Sequence, residues 1–429
     1  MTTEQRFELE LPDRLADLAM PVRPDYRDDI VRQTASMRQR PAWTLPERWI
    51  PMSVTASRVA VPPRFPWRIL AVAALLLIGA AAALLVVGSR PHLPAPFGPA
   101  ANGLVAYSAK GDIYTVDPTT GRSTAIVSGS TSDRNPVFSR DGTKIVFERL
   151  DPGTDPGNPM SRLFVASSDG SAVRAITPTS VKAPGWFRFS PDGRLVSFVD
   201  GNSALMVANA DGSGVRTLDV GMAVKEPTWL PPDGREILVA SVPADSSGAG
   251  LYAVNVQTGK SREVLAPRHA LGADALAVSP DGRLIAYSQQ DFAVTDGNPF
   301  HVHVIRSDGT GGDIALPMPS GAVFQDASTW SNDGIHLAVI RGYRPHNEDV
   351  RVAVMPADGS GTGVETASAV TGCCDNLMEW APDDSAVMLM PEDLGGTRTA
   401  LTLVDASTGK ATVTSWGDTS LSSWQRRAP

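Results

Sequence analysis

Residues 189–198 read FSPDGRLVSF, and this stretch decides the fold. Ser-Pro-Asp-Gly is a turn in which proline pre-sets φ at the first central position and glycine is free to take positive φ. The β-rich run behind it is the return strand of a hairpin. The pattern recurs as FSRDGTKIVF (138–147), WLPPDGREILVA (229–240, with one extra residue), VSPDGRLIAY (278–287), WSNDGIHLAV (330–339) and WAPDDSAVML (380–389). Its aspartates are Asp141, Asp192, Asp233, Asp281, Asp333 and Asp383, spaced by 51, 41, 48, 52 and 50 residues. In the last copy Asp384 replaces glycine. That turn is expected to be strained, or to use the tolerance of aspartate for the left-handed region.

A second hairpin lies between the copies of the first, as in LFVASSDGSAVRAIT (163–177) and LTLVDASTGKATVTS (401–415). Its turn glycines are Gly121, Gly170, Gly212, Gly259, Gly309, Gly359 and Gly409, so it occurs seven times against six for the first. Two hairpins make a four-stranded sheet, and such sheets repeating every 40–50 residues are propeller blades. The mismatch resolves if the repeat region opens at Leu104 on the second strand of a blade. The segment LSSWQ (421–425) matches the ASTWS strand that ends at Ser331, so the C-terminal strand is predicted to complete the first blade. Ring closure would remove the exposed edge of an open array. Residues 103–429 then give seven blades of about 47 residues each, an all-β fold. Trp229, Trp330, Trp380 and Trp424 fall at one blade position and are expected in the inter-blade core.

The W/F-S-P-D-G motif followed by an apolar strand resembles the TolB-like, or PD40, variety of WD40-like β-propeller, over about three-quarters of the chain. The resemblance implies a seven-bladed ring acting as a binding platform for a protein, peptide or envelope ligand. Propellers host many tasks, so the resemblance is informative about fold more than function. Prolyl-oligopeptidase-like enzymes carry similar blades beside a hydrolase domain, but no G-x-S-x-G nucleophile elbow occurs in this sequence.

Ahead of the repeats, residues 69–88 read ILAVAALLLIGAAAALLVVG, with no charge. Twenty residues at 1.5 Å each span roughly 30 Å, a hydrocarbon core, and a helix satisfies the backbone there. The run lies too far into the chain for an ordinary signal peptide, so a retained anchor within 67–90 is expected. Arg48, Arg58, Arg64 and Arg68 precede it and Arg90 follows. The positive-inside rule therefore puts residues 1–66 in the cytoplasm and the propeller outside, after a Pro-rich linker at 91–102. Residues 1–68 hold 11 arginines and 9 carboxylates, leaving 27 basic and 37 acidic residues beyond them. The chain carries a formal charge of −8, which argues against a nucleic-acid partner.

Residues 1–66 are too few for much of a core and read as short amphipathic helices. Tyr26, Ile30 and Met37 fall at helical spacing, and Trp43 and Trp49 lie in a Pro-bounded stretch after them. These five are the candidate cytoplasmic partner-binding residues; a tail resting on acidic lipid is the plainer reading. A short cytoplasmic segment, one span and an outer sensor together resemble the layout of bacterial transmembrane anti-sigma factors. That layout implies a sigma factor or similar regulator as partner. The zinc signature of those factors is absent, since the first histidine is His92 and the cysteines are Cys373 and Cys374.

Candidate chemistry is sparse. Cys373 and Cys374 are adjacent in a TGCCDN loop, a candidate redox pair outside the cytoplasm or simply two loop cysteines. His301 and His303 alternate on one strand without a third metal ligand nearby. No cofactor, metal or catalytic set is expected. The leading expectation is a non-enzymatic, single-pass membrane protein with a ligand-binding outer propeller. Its alternatives are a transmembrane regulator and a lyase or hydrolase working in the propeller channel.

Overall fold

The computed structural model describes residues 97–427 except 154–159, 179–180, 183, 221–223, 242–247, 269–270, 291–299, 344–348, 371–376, 391–399 and 417–421. The chain divides into compact units Met1–Ser89 and Arg90–Pro429, and every described residue belongs to the second. The span expected at 69–88 and the helices expected within 1–66 lie outside the described residues. Among the described residues no helix is long and apolar enough to cross a membrane.

The second unit is a ring of seven antiparallel blades. Blade 1 holds Ser423–Arg427, Ala101–Ala109, Asp112–Val116 and Ser123–Val127, in that order across the sheet. The last strand of the chain thus pairs with the first, Trp424 opposite Val105 and Ser423 opposite Ala106. This is the closure expected from the sequence, with the strand running further toward the C-terminus than the LSSWQ match. Blades 2 to 7 each follow in chain order and have four strands. In blade 2 a short piece, Val181–Lys182, also pairs with Met160–Ser167.

Four of the six motif hairpins are held by the same side-chain network. In blade 2, Ser139 Oγ donates to Asp141 Oδ1 at 2.6 Å and accepts from the Lys144 amide at 3.0 Å. Asp141 Oδ1 also accepts from the Thr143 amide at 3.1 Å. Ser190 with Asp192, Ser279 with Asp281 and Ser331 with Asp333 repeat the 2.6 Å contact. The motif serine and aspartate therefore satisfy turn amides that would otherwise be orphaned. Glycine is required for two reasons. Gly142 has φ 69°, and a Cβ there would strike the Arg426 carbonyl of the preceding blade.

The motif tryptophans join the blades. Trp229, Trp330, Trp380 and Trp424 are all buried. Nε1–H donates to the preceding blade's inner-strand carbonyl at Trp229 (Arg188 O, 3.3 Å), Trp330 (Ala277 O, 3.1 Å) and Trp380 (Thr329 O, 3.0 Å). The core is accordingly a set of apolar clusters between sheets, as where Trp229 packs with Leu205, Val207 and Ile237.

Asp384 has φ 62°, so the last turn uses the left-handed region. Its carboxylate has a structural task. The preceding blade carries Asn332 where most copies have proline, and so exposes an amide N–H that proline lacks. Asp384 accepts from that amide at 2.6 Å, from Asn332 Nδ2 at 2.9 Å and from the Asp333 amide at 2.9 Å. The two departures from the repeat thus compensate one another across a blade boundary. Asp384→Gly is expected to cost about 1–3 kcal/mol by stranding buried donors. In a double-mutant cycle by urea unfolding, Asn332→Pro combined with Asp384→Gly should cost less than the sum of the two single changes.

Candidate functional site

The inner strands of all seven blades converge on one axial cavity of about 460 Å³. Its walls differ. Blades 4 and 5 contribute Pro227, Leu276, Val278 and Pro280, an apolar side. Blades 7, 1, 2 and 3 contribute Glu379, Arg426, Arg140 and Arg188, and these four are the only charged residues among the described ones that line it.

Two places in the motif supply these charges. Arg140 in its turn, and Arg426 near the end of the closing strand, occupy the motif position that Pro191 and Pro280 hold in other blades. Arg188 and Glu379 immediately precede the motif aromatic, where other blades have Val137, Thr228, Ala277 and Thr329. The hairpin that builds the ring therefore aims these positions at the axis, and the departures from its consensus place charge there.

Glu379 accepts from the Trp424 amide at 3.1 Å and from Ser423 Oγ at 3.4 Å. Burial pushes its carboxyl up to about 7, against the lowering effect of the Trp424 amide, Arg188, Ser423 and Arg140. Burial, reinforced by the neighbouring Arg426 charge, lowers the Arg140 guanidinium to about 9. Arg426 is also lowered by burial, opposed by Asp384 and Glu379. It donates from Nη1 to Asn332 Oδ1 at 2.6 Å and from Nη2 to the Gly98 carbonyl. Arg188 Nη1 donates to the Phe187 carbonyl at 2.9 Å.

The chain enters the ring at the turn end of this cavity. Phe97 lies under the Arg140 guanidinium, 5.6 Å from its centre, and lines the cavity. The Ala100 amide donates to the Pro382 carbonyl at 2.7 Å. Residues 97–100 thus touch blades 1, 2 and 7 at the mouth from which the ring departs.

Of the residues singled out from sequence, Tyr26, Ile30, Met37, Trp43, Trp49, Cys373 and Cys374 lie outside the described residues. His301 and His303 share the blade 5 strand Phe300–Arg306. His303 Nδ1 lies 2.8 Å from Asp313 Oδ1, and its ring is tilted against Tyr287 at 5.5 Å. Among the described residues no group of three or more His, Cys, Asp or Glu is arranged to hold a metal ion. A second polar network lies within blade 6. There fully buried Arg341 bonds Gln325 at 2.8 Å and Glu365 at 3.3 Å. Burial and the Glu365 carboxylate push Tyr343 up to about 12. This network ties the strands of one blade and does not reach the axis.

No family model matches this sequence, and no curated protein matches it. Among solved structures, hydrazine synthase of Kuenenia stuttgartiensis is similar with a TM-score of 0.49 and 16% identity, over 76% of this chain and 97% of that one. TolB of Acinetobacter baumannii is similar with a TM-score of 0.45 and 14% identity, over 75% and 81%. Oligogalacturonate lyase of Vibrio parahaemolyticus is similar with a TM-score of 0.44 and 18% identity, over 55% and 71%. The propeller assignment stands on the strand pairing itself.

The raised Glu379 carboxyl has a thermodynamic consequence. Its folded value lies above the ordinary 4.5, so the folded chain holds the extra proton between about pH 4.5 and about pH 7. Its contribution to stability therefore falls as pH rises through that window. Wild-type protein should lose up to about 3 kcal/mol more than Glu379→Gln between pH 4.5 and pH 8, read by urea unfolding.

Proposed function

We propose that this is a non-enzymatic, single-pass membrane protein whose extracytoplasmic propeller binds a protein, peptide or envelope ligand at its axial cavity. The observation that carries the reading is the cavity itself, with one apolar wall facing a wall of buried charge. Concave sites that pair apolar area with a few placed polar groups are where ligands bind. The uncharged run at 69–88 and the arginines ahead of it support the anchored topology.

Binding is favoured over catalysis because two of the cavity's four charged groups among the described residues, Glu379 and Arg426, are engaged in holding blades. Glu379 spans to blade 1, and Arg426 spans to blade 6 and to the entering segment. One observation favours a second reading, a lyase or hydrolase in the channel. A carboxyl held at about 7 beside arginines is suited to acid–base work.

The test is in-cell crosslinking with mass spectrometry on three proteins: the full chain, a variant lacking residues 1–66, and Leu276→Trp, which fills the cavity from its apolar side. The expected result is envelope capture by the first two and loss of that capture in Leu276→Trp. Capture that survives Leu276→Trp contradicts a cavity site. Capture of a cytoplasmic factor by the full chain alone would replace this reading with that of a transmembrane regulator. Turnover of an envelope component that is abolished by Glu379→Gln would establish the enzymatic one.

A further inference from the structure

We infer that the axial cavity takes a carboxylate carried on an apolar group, its charge held by Arg140, Arg188 and Arg426. The inference rests on the binding reading above and specifies its ligand.

The charge balance of the wall is one-sided. Three of its four charged residues are arginines, contributed by blades 1, 2 and 3. Among the described residues Glu379 is the one carboxylate that lines the wall, one charge against three, and it also accepts from the Trp424 amide and Ser423 Oγ. The nearby Asp384 carboxylate, which sits behind Asn332, already accepts three N–H groups. Arg140 and Arg426 line the same cavity, and the Arg426 charge acts against that of Arg140. Guanidinium groups brought together away from water create a field that an anion relieves, and carboxylate matches their fork geometry.

A further donor sits on the same wall. Trp424 lines the cavity and is 5% exposed. Its Nε1–H has no hydrogen-bond partner among the described residues, whereas Trp229, Trp330 and Trp380 each donate to the blade before. A buried donor without an acceptor is costly, and a ligand oxygen would supply one.

The opposite wall sets what carries the carboxylate. Pro227, Leu276, Val278 and Pro280 present no charge and no side-chain donor. A fully hydrated polyanion would bury its polar groups against them without partners, whereas an apolar body gains from the contact. The cavity volume of about 460 Å³ suits a small organic acid or the last residues of a peptide.

The experiment is isothermal titration of the full-length chain in neutral detergent with benzoate and with benzamide, its neutral isostere. A second arm uses acetyl-leucyl-alanine as free acid and as amide. The expected result is that each acid binds at least about tenfold more tightly than its amide. Arg188→Gln and Arg140→Gln should each weaken the acid by about tenfold and leave the amide unchanged. Trp424→Phe should weaken it by a few-fold, about the value of one hydrogen bond. Glu379→Gln should strengthen it at pH 8, where the wild-type carboxyl is charged. Preference for the peptide acid identifies a peptide C-terminus as the source, and preference for benzoate a free organic acid. Both support the site. Equal binding of acid and amide, no binding of either, or indifference to the arginine changes overturns the inference. If the acids fail while Leu276→Trp still abolishes capture, the ligand class is wrong and the binding reading stands. If both fail, neither stands.

Discussion

The structure depends on the pairing of Ser423–Arg427 with Ala101–Ala109. Without it blade 1 lacks its inner strand and the ring has two open edges. The closing strand does more than fill one sheet. Ser423 Oγ accepts from the Phe138 amide of blade 2 at 3.1 Å, and Gln425 Nε2 donates to the Gly142 carbonyl there at 2.9 Å. On its other side it meets Glu379 of blade 7, and through Arg426 it reaches Asn332 of blade 6. The contacts with blades 1 and 2 join residues about three hundred positions apart, so closure carries the entropic cost of a long loop.

Closure and site are the same piece of chain. Ser423, Trp424 and Arg426 line the axial cavity, and Glu379, a partner of the closing strand, lines it beside them together with Arg140. The charged wall is therefore assembled only when the ring is complete. The same arginines hold the segment by which the chain enters, Arg140 over the Phe97 ring and Arg426 on the Gly98 carbonyl. A ligand's charge and the entering segment thus draw on shared donors, a physical link between the cavity and residues 97–98.

Much of this architecture was legible in the sequence, because each feature has a local cause. Ser-x-Asp-Gly builds its own hydrogen bonds within six residues, so Ser139 through Lys144 reads as a turn without tertiary information. Seven second hairpins against six first ones implied the closing strand, and Trp424 identified it. The site was not legible in the same way. Arg140, Arg188, Glu379 and Arg426 occupy positions whose direction is known only once the blades are arranged around an axis. A signal did exist. Each is charged where the equivalent blade positions are mostly proline, alanine, threonine or valine, and a residue that breaks a repeat pattern invites a functional explanation. The Asn332–Asp384 pair shows the converse, a double departure that is structural. The two kinds separate only when contacts are known.

Backbone hydrogen exchange on the closing strand tests the central claim most directly. If residues 423–427 complete the ring, the amides of Ala106 and Ser423, the ladder pair next to Val105 and Trp424, should exchange only through global unfolding, at the rate of buried strand amides such as those of Ile145 and Ile237. Exchange of those two amides at the fast rate of an open edge, with the remaining blades protected, would contradict the closure and the cavity wall built on it.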